Sequence, residues 1–359
     1  MGTPSEHGRL GRIRAATPAN GVFAKLGNLD FLQACTLLHT REVRATRSAE
    51  GKTGSDLPPL SCQREVLLAL PLAAYRKHAA SVEKGFVEAA RFLNQQHVLW
   101  GQDVPYPSQI VALAALFAVL GSKSEYAEWR TRLALWYWSG VLGEHYGAAV
   151  ETKIARDVGE LESWLAADGA VPRTMFDCVF QADRLLSLRT RGSAAYKGFH
   201  ALMMRSGCRD FLSGKSVELM TVYQDPIDVH HVFPVAWCEK QGIAPGIYNS
   251  IVNKTPMAAA TNRAMLRGDA PSVYLARIEE RSGLATAALD ELLASHLIDP
   301  ALLRTDDFDA FFADRKARLA ALASTAMGKA AIAGSPDSSD LAIEDDDTTL
   351  DEADTLELA

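Results

Sequence analysis

The chain has 359 residues, 48% hydrophobic and 23% charged, with 37 Lys and Arg against 44 Asp and Glu. That balance excludes wholesale disorder and a collagen-like fibre, and the length suggests two or three domains. No apolar run reaches the roughly 18 residues of a membrane span, and the N-terminal MGTPSEHGRLGRIR has no apolar core behind its basic residues, so the expectation is a cytoplasmic protein with no membrane partner.

Residues 1–27 hold Gly, Pro and Arg without a steady period and read as a flexible leader. From Asn28 the pattern becomes helical: Asn28 can cap a helix carrying Leu29, Leu32, Cys35 and Leu38 at three-residue steps, and glycines and prolines break it over 49–61. Further helices are predicted over 73–96, 108–120, 126–142 and 149–167, with Val82, Phe86, Ala90 and Leu93, then Leu133, Trp136, Tyr137 and Val141, then Ile154, Val158, Leu161 and Leu165 on their apolar faces. Trp136, Tyr137 and Trp138 sit at helical spacing among leucines and read as core, not as a base-stacking platform. A helical domain over 28–170 follows.

The texture changes near Pro172. Residues 184–215 hold seven basic side chains (Arg184, Arg189, Arg191, Lys197, Arg205, Arg209, Lys215) against one acid, Asp210. Such a window suits phosphate contacts, with a solvated helix face as the plainer alternative. Short strands are predicted over 217–223, 227–233 and 251–255, then helices over 258–266, from Pro271 to 280, over 284–297 and over 306–322. These make a second domain over 171–328. The remaining 329–359 form an acidic tail: ten acidic residues fall between Asp337 and Glu357, no Lys or Arg follows Lys329, and the rest of the chain therefore carries +3 where the whole carries −7. The tail reads as a disordered solvating end, or as a nucleic-acid mimic that covers a basic surface. The five cysteines (Cys35, Cys62, Cys178, Cys208, Cys238) form no CxxC pair, so neither a disulfide framework nor a structural zinc is expected.

Chemistry concentrates in 225–263, DPIDVHHVFPVAWCEKQGIAPGIYNSIVNKTPMAAATNR. His230 and His231 end a predicted strand just before Phe233 and Pro234. Neighbours on a strand point to opposite faces, so the two imidazoles should do different work, one on a cation and one on water. Asn253 stands on the next strand and Asn262 on the helix after it. A carboxamide oxygen suits a hard cation such as Mg²⁺, and phosphodiester hydrolysis needs a base near neutrality together with a cation.

The stretch resembles the HNH (ββα-metal) endonucleases, and more closely the C-terminal nuclease part of the GmrSD-type modification-dependent restriction endonucleases. The likeness rests on 228–234, 249–256, 260–263 and 270–275, extends to RTRGSAAYKG at 189–198, and covers the helical half more loosely. It implies a mainly α protein with a small α+β insert, in which an N-terminal helical domain precedes an HNH module embedded in helices. It implies His231 as general base, His230 and Asn262 as metal ligands and Asn253 as the residue tying the ββα loop; beside these, Asp228 is a candidate carboxylate for orienting an imidazole, and Arg189, Arg191, Lys197 and Arg263 are candidates for DNA contacts. The activity implied is Mg²⁺- or Mn²⁺-dependent DNA cleavage in restriction or phage defence, on modified foreign DNA. The Asp-Gly-Gln-Gln-Arg-like run of the family's NTP-dependent domain has no counterpart here, and no GxxxxGK[ST] loop occurs. The chain thus reads as the nuclease half alone, working with a separate NTPase or recognition subunit or cut from a longer protein. Two other readings stand beside it, a non-catalytic DNA-binding or assembly subunit, and a nuclease acting on RNA.

Overall fold

The computed structural model describes residues 8–18, 21–166, 169–222, 227–263 and 268–333, with the side chain of Asp228 outside the description. The protein is mainly helical, with one two-stranded antiparallel sheet among the described residues. Its chain divides into two compact units, Met1–Val179 with Ala326–Gly328, and Phe180–Thr325 with the chain from Lys329.

The first unit carries α1 (Arg9–Ala15), α2 (Asn28–Ala49), α3 (Arg64–Leu68), α4 (Leu72–Gln95), α5 (Pro107–Leu120), α6 (Ala127–Leu142), α7 (Val150–Leu165) and α8 (Arg173–Asp177). Apolar periodicity explains α4, α6 and α7, whose expected faces are all buried. In α2 the cap shifts by one residue: Asp30 accepts from the Gly27 N–H at 2.7 Å, making Asn28 the first helical residue. Its inward face is Phe31, Ala34, Cys35 and Leu38, while Leu29 is 59% exposed. Steps of three drift off a helix of period 3.6, and the i, i+3, i+4, i+7 set stays on one side.

The expected leader is ordered where it is described. Within 8–27, Ile13, Val22, Phe23 and Leu26 are buried, Arg9 and Arg12 pair with Glu83, and Arg14 donates to the Leu26 carbonyl. Four apolar side chains scattered without a period give no helical signal, yet each finds the core. Phe23, Phe31 and Phe86 make ring contacts at 6.0 Å. Trp136, Tyr137 and Trp138 are fully buried core, each contributing roughly 1.5–3 kcal/mol by burial. The segment Pro107–Glu125 is long and apolar enough to cross a membrane by length and composition, but α5 within it is buried from Gln109 through Phe117 inside this unit.

The second unit carries α9 (Arg184–Ser187), α10 (Ala194–Arg205), α11 (Val217–Val222), β1 (Ile227–His231), α12 (Val235–Lys240), α13 (Pro245–Tyr248), β2 (Lys254–Ala258), α14 (Ala259–Thr261), α15 (Pro271–Ser282), α16 (Thr286–Ala294), α17 (Pro300–Arg304) and α18 (Phe308–Met327). Two predicted strands differ. Residues 217–222 are helix, because Val217 and Met220, three apart, are buried on one face, with Val217 against Met204 and Cys208; packing overrides the β-propensity of its valines and threonine. Residue 223 lies outside the described residues. Residues Ile251–Asn253 form a 3₁₀ turn, and β2 starts only at Lys254. The helix predicted over 258–266 is seen as α14 with Asn262 and Arg263 continuing it, and 264–267 lie outside the described residues. The body does not end near Gly328: Ile332 exchanges hydrogen bonds with Phe180 and Ala182. Of the acidic tail, 334–359 lie outside the described residues.

Candidate functional site

β1 and β2 pair antiparallel, with Ile227 opposite Ala258, His230 opposite Thr255 and His231 opposite Lys254. Directly paired residues share a face, so His231 stands beside Lys254 and His230 beside Thr255, and the two imidazoles diverge as the alternation of a strand requires. β1 ends at His231 because Pro234, lacking an N–H, opens α12.

Asn253 makes that geometry permanent. Its Nδ2 donates to the Phe233 carbonyl at 2.9 Å and the Tyr248 carbonyl at 3.0 Å, and its Oδ1 accepts from the Phe233 N–H at 2.9 Å. The Val232 N–H also donates to the Asn253 carbonyl at 2.7 Å. One fully buried carboxamide therefore ties both ends of the 234–252 excursion to each other.

Beneath the hairpin lies a polar support that the sequence alone does not reveal. His296 Nε2 meets the Arg209 carbonyl at 2.8 Å, so it carries the proton, and Nδ1 accepts from Thr255 Oγ1 at 2.7 Å. Burial holds the His296 pKa down at about 4. Arg315, fully buried, donates to the carbonyls of Val252 at 2.9 Å and His296 at 3.3 Å, and burial lowers its pKa to about 9. Asp210, the one acid of the basic window, is buried and accepts from Ala258 N at 3.0 Å, Thr261 Oγ1 at 2.9 Å and Ser213 N at 2.9 Å. It fixes the turn from β2 into the helix that carries Asn262.

The expected site residues are placed as follows. His230 is 7% and His231 3% exposed, and His231 Nε2 lies 2.9 Å from Asn249 Oδ1. Asn262 is half-buried on helical backbone one turn beyond β2. Arg189 and Arg263 are exposed, Arg191 and Lys197 half-buried. Lys254, opposite His231, donates to the Arg189 carbonyl at 3.1 Å, and Ile251 N donates to the Leu188 carbonyl at 2.8 Å; together they draw the basic segment against the hairpin. The Asp228 carboxylate lies outside the described residues. Among the described residues, no group of three or more His, Cys, Asp and Glu side chains converges on one point. A cation that keeps several waters needs only one or two protein ligands, fewer than such a group would supply. The five cysteines are buried and none is in a disulfide, and burial pushes the thiols of Cys35, Cys62, Cys208 and Cys238 up to about 12.

No family model matches the sequence. The chain is similar to an uncharacterized protein of Methanocaldococcus jannaschii, 27% identical over 187 residues that cover 48% of this chain and 31% of the relative. It thus spans about a third of that relative's length.

Proposed function

We propose that the chain is a metal-dependent DNA endonuclease of the HNH type, acting in restriction or phage defence on foreign, modified DNA in the cytoplasm. The observation that carries this reading is the hairpin locked by Asn253: two adjacent histidines end its first strand, a buried carboxamide ties the intervening loop, and a helical turn bearing Asn262 follows the second strand. His230 and Asn262 would hold a Mg²⁺ or Mn²⁺ ion, which would supply stabilisation of the charge that develops on the phosphate oxygens. His231 takes a proton from the attacking water, whose oxygen bonds to phosphorus as the bond to the leaving oxygen breaks. Arg189, Arg191, Lys197 and Arg263 hold the DNA backbone through its charge. Since His231 is only 3% exposed, the site has to open to water as DNA binds. Asp228 would orient an imidazole. An NTPase or recognition subunit is the expected partner.

Purified protein should nick plasmid in Mg²⁺ or Mn²⁺, and His231→Ala should abolish cutting while the melting curve stays in place. Cutting by His231→Ala at the wild-type rate would overturn the assignment. The enclosure of His231 favours a second reading, a non-catalytic DNA-binding or assembly subunit; a gel shift without cleavage in any divalent metal would establish it. Parallel digestion of plasmid and tRNA separates a DNA from an RNA substrate.

A further inference from the structure

A histidine acts as a base through whichever ring nitrogen carries no proton, and the hydrogen bond made by the other nitrogen decides which that is. Nε2 of His231 lies 2.9 Å from Oδ1 of Asn249. A carboxamide oxygen only accepts, so this contact requires the proton on Nε2 and leaves the lone pair on Nδ1.

Asn249 is well placed to enforce that choice, because its backbone is held on both sides. Its N–H donates to the Pro245 carbonyl at 3.0 Å as the residue that ends α13; Tyr248 before it gives its carbonyl to Asn253, and the buried Ser250 after it donates through Oγ to the Ile247 carbonyl at 2.7 Å. Ile251 N–H is anchored on the Leu188 carbonyl. The ring of Tyr248 stands against that of His231, with centroids 6.2 Å apart and planes at 70°. The acceptor thus stands on the loop that Asn253 locks, and the imidazole on the strand end from which that loop departs.

We infer that Asn249 is a positioning residue that holds His231 in the Nε2–H tautomer and so makes Nδ1 the atom that receives the proton of water. The inference rests on the endonuclease reading above. Long-range ¹H–¹⁵N correlation of the full chain labelled in histidine, with the His231 signals assigned by their loss in His231→Gln, reads the tautomer directly. The wild type should show the Nε2–H pattern, and Asn249→Ala should lose the single-tautomer signature. In plasmid cleavage with Mn²⁺, Asn249→Ala should lower kcat by about 10- to 100-fold, the usual effect of removing an orienting partner, with KM for DNA unchanged, and Asn249→Asp, which keeps an acceptor, should recover much of the rate. An Nδ1–H pattern in the wild type, or wild-type kcat in Asn249→Ala, overturns the inference while leaving the endonuclease reading intact. A wild type that binds DNA and cuts nothing overturns that reading instead, even with the tautomer as stated.

Discussion

A single carboxamide, Asn253, holds three buried hydrogen bonds. Asn253→Ala leaves the Phe233 N–H and the Tyr248 carbonyl without the carboxamide, each an expense of about 1–3 kcal/mol, while the Phe233 carbonyl keeps only the Cys238 thiol at 3.5 Å. We expect a loss of roughly 3 kcal/mol in the unfolding of the second unit, read by urea denaturation. His200 offers a pH test at the same scale. Its Nε2 has no hydrogen-bond partner among the described residues, and burial, with the Arg191 charge second, lowers its pKa to about 3. In the folded protein it stays neutral, while the unfolded chain takes up the proton below about 6.5. Stability therefore falls with acidification between about 6.5 and about 3, by about 1.4 kcal/mol per pH unit for one such group. His200→Gln should flatten that slope in denaturation series run from pH 7 to 4; an unchanged slope refutes the account.

Among elements, α4 and α5 meet most closely at Gly85, where an added Cβ would sit 2.1 Å from the Ala114 carbonyl oxygen. Helix backbones cannot yield locally to that, so Gly85→Ala should destabilise the first unit by about 1–3 kcal/mol or more, seen as a lowered Tm. Elements of this kind were legible beforehand. The stripes of α4, α6 and α7 repeat at the helical period, and burial of one face is a local demand that the sequence states openly. α11 was not legible, because six residues rich in valine and threonine read as strand until Met204 and Cys208 pack against them. The start of β2 was misplaced for a related reason: the side-chain bonds of Asn253 require a turn where hydropathy alone continues the strand. Asn253 was marked out only by a resemblance to a family, not by any local pattern. Asp210, His296 and Arg315 were not, since their partners lie 48, 41 and 63 residues away and no local pattern connects them.

For the whole molecule, charge sets the expected behaviour toward DNA. The net −7 divides into ten acids in 337–357 and a remainder of +3. Neutralising Arg189, Arg191 and Lys197 should weaken DNA binding across sequences and reduce the slope of log K against log salt by about one per residue lost. Fluorescence anisotropy at several salt concentrations checks this; an unaltered slope excludes these side chains from the phosphate contacts. Shortening the chain after residue 333 should raise DNA affinity if the acidic segment competes for the same basic surface, and leave it unchanged if the segment only solvates.

Arg315 carries one last implication, for synthesis. The carbonyl it grips at Val252 was made 63 residues earlier, so the histidine-bearing strand pair leaves the ribosome before the guanidinium that braces it exists. A chain halted before α18 should possess both imidazoles and the locking carboxamide yet lack the brace, and its hairpin should give way at a lower urea concentration than in the full chain.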